Sequence, residues 1–237
     1  MEATEAPVAI VTAATRGMGE AIARELARKG YRLALLARSP DIQDLAAELG
    51  AIFVRGSVSD PADLETLVGL AQEKFGRVDA VINNTGHPPT GDLLRLTDSE
   101  WHEALDLVLL NVVRMSRLVT PGMIAAGRGG AFVNISTVAA VQPDIRFPLS
   151  GILRAGLANF AKMYADLYAV HGIRMNNILP GTIDSWPQPP ERIAEVPAKR
   201  LGTVAEIAGV AAFLVSDEAT YVNGQNLVVD GGLIRGI

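Results

Sequence analysis

Val8-Ala9-Ile10-Val11-Thr12-Ala13-Ala14-Thr15-Arg16-Gly17-Met18-Gly19 decides the fold. Its opening apolar and β-branched residues read as a short strand buried on both faces, and a helix-like periodic stretch, Gly19–Lys29, follows. A loop between such elements brings backbone N–H groups and a helix N-terminus against a pyrophosphate, so it needs small residues where the approach is closest. Gly17 and Gly19 supply them. A Gly pair alone also suits a plain turn and cap; the strand–loop–helix context turns the reading toward a nucleotide.

Outward from this loop the alternation repeats. Val8–Thr12, Arg32–Leu36, Ile52–Arg55, Ala80–Asn83, Ala131–Ile135, Arg174–Ile178 and Asn226–Val229 read as strands, most of them nearly continuous in apolar character. Gly19–Lys29, Pro61–Phe75, Ser99–Ala126, Gly151–His171 and Thr203–Ser216 read as helices. Asp60-Pro61 offers an N-cap with Pro at the first helical position, Thr97 or Ser99 can cap the next helix, and Gly30 and Gly172 sit where helices stop. The pattern calls for an α/β protein, a parallel sheet with helices on both faces, in one domain over residues 1–237. Asp184–Pro197, with four Pro and Trp186, reads as an irregular loop on the ligand face, beyond the carboxyl ends of the strands; residues 184–199 are the expected substrate loop.

Composition bounds the function. The chain has 237 residues, 49% hydrophobic and 20% charged, no Cys and a formal net charge of −5, which excludes disordered, collagen-like and disulfide-scaffold classes. Mean hydropathy is +0.25, yet no uninterrupted apolar run approaches the length of a membrane span, and Glu2 and Glu5 stand where a signal peptide needs positive charge. The expectation is a cytoplasmic protein without membrane contact. The three His are scattered without ligand spacing, so no metal is expected, and no Lys/Arg cluster suggests nucleic acid.

The glycine loop resembles that of the short-chain dehydrogenases/reductases, Thr-Gly-x-x-x-Gly-x-Gly, with Ala13 in place of the first Gly. Asn83-Asn84-Thr85-Gly86 is similar to the family's Asn-Asn-Ala-Gly, Asn111 falls at its helix Asn, and Asn134-Ile135-Ser136 ends with its catalytic Ser. Gly172-Ile173-Arg174-Met175-Asn176, Pro180-Gly181-Thr182-Ile183 and Val228-Val229-Asp230-Gly231-Gly232 continue the likeness almost end to end. The resemblance, nearest to β-ketoacyl carrier protein reductases, implies a Rossmann-type doubly wound seven-stranded parallel sheet in the order 3-2-1-4-5-6-7. It implies a dinucleotide held by Thr12, Ala14, Thr15, Arg16, Gly17, Met18, Gly19, Arg38, Ser57, Val58, Asn84, Gly86, Arg154, Pro180, Gly181 and Ile183. It also implies a small carbonyl or alcohol substrate and a homo-oligomer, tetramer or dimer, built on the two long helices. Phe160, Tyr164 and Tyr168 recur on the second of these as an apolar stripe, which core packing explains equally well.

At the end of the second strand Ala37 replaces the carboxylate that would favour NAD, and Arg38 follows, with Arg16 in the glycine loop. Two guanidinium groups suit a 2′-phosphate, so NADP(H) is preferred and NAD(H) remains possible. Ser57 stands where the family usually has an Asp that accepts from the adenine amino group.

The family pattern fails at its acid/base. Continuing the helix without a gap from Ala155 puts Ser150 at the family's Tyr and Arg154 at its Lys. No other Tyr rescues the motif, because Tyr31, Tyr164, Tyr168 and Tyr221 are followed four residues later by Leu35, Tyr168, Gly172 and Gln225. The catalytic set implied is therefore Ser136, Asn111, Ser150 and Arg154. An aliphatic hydroxyl is poorly matched to proton exchange near neutrality, and loss of a positioned acid/base typically costs a factor of about 10²–10⁴. Ser150 and Arg154 also read as a plain helix start, an N-cap Ser with Arg on a solvated face. His87, Asp144, Arg146 and Trp186 are further candidates around the site; a plain loop residue is the default reading of the first three, and Trp186 reads equally as an anchor of its loop to the core. Three functions compete: an NADP-dependent carbonyl reductase, a dinucleotide-binding regulator that has lost the chemistry, and a non-redox enzyme reusing the site as halohydrin dehalogenases do.

Overall fold

The computed structural model describes residues 6–236, so Glu2 and Glu5 lie outside the described residues. A seven-stranded sheet runs β3-β2-β1-β4-β5-β6-β7, every pairing parallel. Its strands are β1 (Val8–Thr12), β2 (Arg32–Ala37), β3 (Ile52–Arg55), β4 (Ala80–Asn83), β5 (Gly130–Ile135), β6 (Ile173–Pro180) and β7 (Asn226–Val229). The helices are α1 (Gly17–Arg28), α2 (Ile42–Leu49), α3 (Pro61–Phe75), α4 (Asp98–Leu105), α5 (Asn111–Ala126), α6 (Pro148–Tyr168), α7 (Pro190–Glu195) and α8 (Val204–Val215).

Alternation along each strand builds two cores. Ala9, Val11, Leu33 and Leu35 face α1, α2 and α8, where Ile22, Leu26, Ile42 and Ile207 meet them. Ile10, Ala34 and Leu36 point the other way, onto α3, α5 and α6, against Leu64, Leu67, Met115 and Leu157. Two strands depart from the expected two-sided burial. β3 is half-covered, and the edge strand β7 leaves Leu227 and Val228 exposed.

The helix expected over Ser99–Ala126 is three pieces: α4, one π-turn over Asp106–Leu110, and α5. By length and composition the run from Asp98 to Ala126 would cross a bilayer, but in this fold its Val112, Met115, Val119 and Met123 are buried against the sheet. Thr97 caps α4 in a reciprocal capping box with Glu100, and Asp60 caps α3 by accepting from Ala62 N at 2.9 Å. Asp184–Pro197 is not wholly irregular. Pro190 starts the short helix α7, because Pro at the first helical position gives up an N–H that has no helical partner there.

A line of amides ties four strands together. Asn83 of β4, Asn134 of β5, Asn177 of β6 and Asn226 of β7 are in register, and each donates through Nδ2 to the next Oδ1, at 2.8, 2.8 and 2.7 Å. Asn134 and Asn177 are essentially inaccessible, so each amide's hydrogen bonds are supplied by its neighbours on the line. The line crosses the sheet two residues before Ser136, where β5 ends.

Candidate active site

Thr12 ends β1 by fastening it to the loop after β4: its Oγ1 donates to Asn84 O at 2.6 Å and accepts from Asn84 N at 3.0 Å. Ala13 takes a left-handed φ of +47°, the backbone shape that the absent Gly would adopt freely. Asn84 Nδ2 donates to Ala13 O at 3.2 Å, and a Cβ on Gly19 would lie 2.2 Å from that same oxygen. The loop therefore keeps its course although its first Gly is replaced.

Along this loop runs a cavity of about 390 Å³, lined by Ala13, Thr15, Arg16, Gly17, Met18, Ala37, Arg38, Ser57, Val58, Asn84, Thr85, Gly86, His87, Leu107, Ser185 and Trp186, among others. Of the sequence-predicted residues, Thr12, Ala14, Gly19, Arg154, Pro180, Gly181 and Ile183 do not line it, and Gly181 lines a second cavity instead; Ala14 N donates to Leu36 O at 3.2 Å. Arg16 and Arg38 are exposed at the cavity rim and make no ion pair among the described residues. Ser57 is engaged: its N–H donates to Asp63 Oδ2 at 2.8 Å and its Oγ accepts from Ser59 N at 3.2 Å. At Gly56 a Cβ would lie 2.4 Å from the Asp63 carboxylate, so a larger residue would displace that carboxylate from Ser57 N.

Ser136, Asn111, Ser150 and Arg154 are all buried. Arg154 reaches back from α6 to the end of β5, donating through Nη1 to Ile135 O, next to Ser136, and through Nε to Ser150 Oγ at 3.3 Å. No carboxylate pairs with it among the described residues, and burial pushes its guanidinium down to about 10, which leaves it charged at neutral pH. The plain helix-start reading is overturned, because α6 begins at Pro148, Ser150 lies inside its first turn, and Arg154 is on a buried face. His87 meets Trp186 edge-on with ring centroids 4.3 Å apart, joining the loops after β4 and β6 across the cavity. Burial lowers the His87 pKa, and the Arg154 charge adds to the effect.

Four buried hydroxyl or amide oxygens around this region have no hydrogen-bond partner: Thr85 Oγ1, Asn111 Oδ1, Thr182 Oγ1 and Ser185 Oγ. Thr85 and Ser185 lie in the cavity wall, so the residues present fit a polar ligand along it. Sequence reasoning missed Ser185; its signal was its place between Pro180-Gly181 and Trp186, in a loop otherwise read only for its prolines.

The parallel sheet and the glycine loop at its switch point define a Rossmann-type oxidoreductase fold, and the chain belongs to the short-chain dehydrogenase/reductase family. Residues 12–234 match the family model described as enoyl-(acyl carrier protein) reductase. Among its relatives is 3-oxoacyl-[acyl-carrier-protein] reductase FabG of Escherichia coli (strain K12), 36% identical over 97% of this chain and 98% of that protein. Oxidoreductase UcpA of the same organism is 34% identical over 94% and 93%. The crystal structure of L-sorbose reductase from Gluconobacter frateurii, complexed with NADPH and L-sorbose, superposes with a TM-score of 0.89 at 29% identity, covering 98% of both chains.

Proposed function

We propose that this chain is an NADPH-dependent carbonyl reductase of ketoacyl-like specificity with an atypical active site. The observation that carries the reading is a cleft along the glycine loop whose lining includes two guanidinium groups without ion pairs, Arg16 and Arg38, together with the buried Arg154 held at Ile135 O, next to Ser136. NADPH, when bound, supplies the hydride that reduces the carbonyl carbon. Thr15, Arg16, Gly17 and Met18 would hold its phosphates at the α1 N-terminus, and Arg38 with Arg16 would take the 2′-phosphate in charge-assisted bonds. Val58, Asn84, Gly86 and Ser185 would flank the rest.

On the substrate side, Ser136 donates a hydrogen bond to the carbonyl oxygen and holds it as negative charge develops. Arg154 would hold a ribose hydroxyl of the nucleotide and lend its positive charge to this end of the site, but charged at neutral pH it is no base. Asn111, carried just after the π-turn, offers its unpartnered Oδ1 to a water or substrate hydroxyl. Ser150 or a water beside it relays the proton, more slowly than a phenol would.

We also infer a homo-oligomer joined through α5 and α6, on whose outer face Ile124, Met163 and Leu167 are exposed beside Phe160 and Tyr164, and a cytoplasmic site of action. The second reading, a dinucleotide-binding regulator without turnover, draws support from Ser150 being tied to a buried Arg154. The test is calorimetric titration with NADPH and NADH, followed by NADPH oxidation across a ketone panel that includes an acetoacetyl thioester. Tight NADPH binding with slow turnover supports the reductase; tight binding with no turnover supports the regulator; no binding of either nucleotide removes both.

A further inference from the structure

A second cavity, of about 370 Å³, is lined in part by the segment that follows Ser136 in the chain. Thr137, Val138 and Ala139 line it together with Asp144, Arg146 and Phe147, Gly181, and Arg192 and Glu195 of α7, among others. Its charges are unevenly committed. Arg146 is saturated by Asp144, with bonds of 2.9, 2.9 and 2.7 Å, and lies 3.5 Å from Glu195. Arg192 has no ion pair among the described residues, its Nε is buried without an acceptor, and its guanidinium rests 5.3 Å from the centre of the Phe147 ring.

Resting on the carbonyl-reductase part of that reading, and narrowing its substrate, we propose that Arg192 is a specificity-determining residue that receives a carboxylate at the far end of the ketone substrate, so that a ketone carrying a free carboxylate is preferred over an uncharged one. The Nε is closed off within the protein, so a carboxylate in the cavity would be met by the terminal nitrogens of the guanidinium, which pair with no carboxylate among the described residues. Burial lowers the Arg192 pKa, with Arg146 adding to it and Asp144 and Glu195 offsetting it only in part. Asp144 and Glu195 in the same walls penalise a dianion more than a monoanion, which favours carboxylate over phosphate. Stacking on Phe147 holds the planar fork in place for bidentate contact. The bland alternative is that Arg192 only anchors α7 to Phe147, in which case its loss would affect charged and uncharged substrates alike.

The experiment uses two probes that differ in one charge, levulinate and methyl levulinate, with the full-length protein and NADPH. In the parent, kcat/KM should favour levulinate by about 10-fold or more, mainly through KM. In Arg192→Gln the ratio should fall toward one, and Arg192→Lys should keep part of it. A parent without preference for the charged probe, or a variant that loses both probes in proportion, overturns the proposal. If neither probe is reduced, titration of levulinate into the protein with and without NADPH decides separately. Levulinate binding lost in Arg192→Gln, with NADPH binding kept, sustains the carboxylate site while the reductase reading falls; no levulinate binding by the parent overturns the site.

Discussion

Arg154 Nε donates to Ser150 Oγ at 3.3 Å across one turn of α6, so the residue at the family's Tyr position is held by the residue at its Lys position. This pairing leaves the serine hydroxyl no means of becoming a strong acid, since its neighbour is a cation that orients it without lowering its pKa into a useful range. The double variant Ser150→Tyr, Arg154→Lys is expected to raise kcat/KM for NADPH-linked ketone reduction by about 10²–10⁴. Stopped-flow NADPH oxidation measures it. No rise, in a variant that still binds NADPH, would mean that the rest of the pocket is not arranged for hydride transfer.

Cofactor choice is expected to follow Arg38. Arg38→Glu removes a charge-assisted contact and places a carboxylate at the end of β2, where it can accept from a ribose hydroxyl. NADPH affinity should fall about 10- to 100-fold, and NADH affinity should hold or rise. Calorimetric titration of both nucleotides is the check; an equal loss for the two would assign Arg38 to the loop's structure.

Ala13 holds a left-handed backbone at φ +47°. That conformation costs a non-Gly residue about 1–2 kcal/mol, while Gly adds about 0.4–1 kcal/mol of unfolded-state entropy. Ala13→Gly should therefore stabilise the protein by about 0.5–1 kcal/mol in urea denaturation, and Ala13→Val should destabilise it. Stabilisation by the β-branched variant would contradict the strain.

The His87 pKa is lowered below 6.5, first by burial and second by Arg154, so the unfolded chain binds a proton at this site more readily than the folded one. Stability from this site is present above pH 6.5 and is lost as pH falls from there through the folded value. Denaturant midpoints should decline between pH 7.5 and 5.5 in the parent and decline less in His87→Gln. Trp186 fluorescence of the folded protein should change only as His87 itself protonates, below pH 6.5, because the two rings are in edge contact.

The sheet was legible because continuous apolar strands and a glycine loop leave few alternatives. Val8–Thr12, Ile52–Arg55, Ala80–Asn83 and Asn226–Val229 have the boundaries expected from sequence. What escaped was local. α2 is two turns long, too short for its Ile42, Leu45 and Ala46 to stand out as a period, and the π-turn before Asn111 has no residue signature. α7 was hidden by its prolines, one of which begins it. In the site, motif spacing reached Ser136, Ser150 and Arg154, but not the committed state of Arg146 or the open state of Arg192, since only tertiary packing decides which guanidinium finds a carboxylate.

The asparagine line has a consequence for how the molecule folds. Its links join residues 51, 43 and 49 positions apart, so no link forms by local closure. A sheet assembled only as far as β5 would end in an Asn134 amide with nothing to donate to, and one assembled as far as β6 would leave Asn177 in the same state. Each partial assembly thus carries a defect that only the next strand removes. The line makes incomplete sheets unstable and pushes this half of the protein toward all-or-none cooperativity, so that Asn134→Ala should broaden the unfolding transition as well as lower its midpoint.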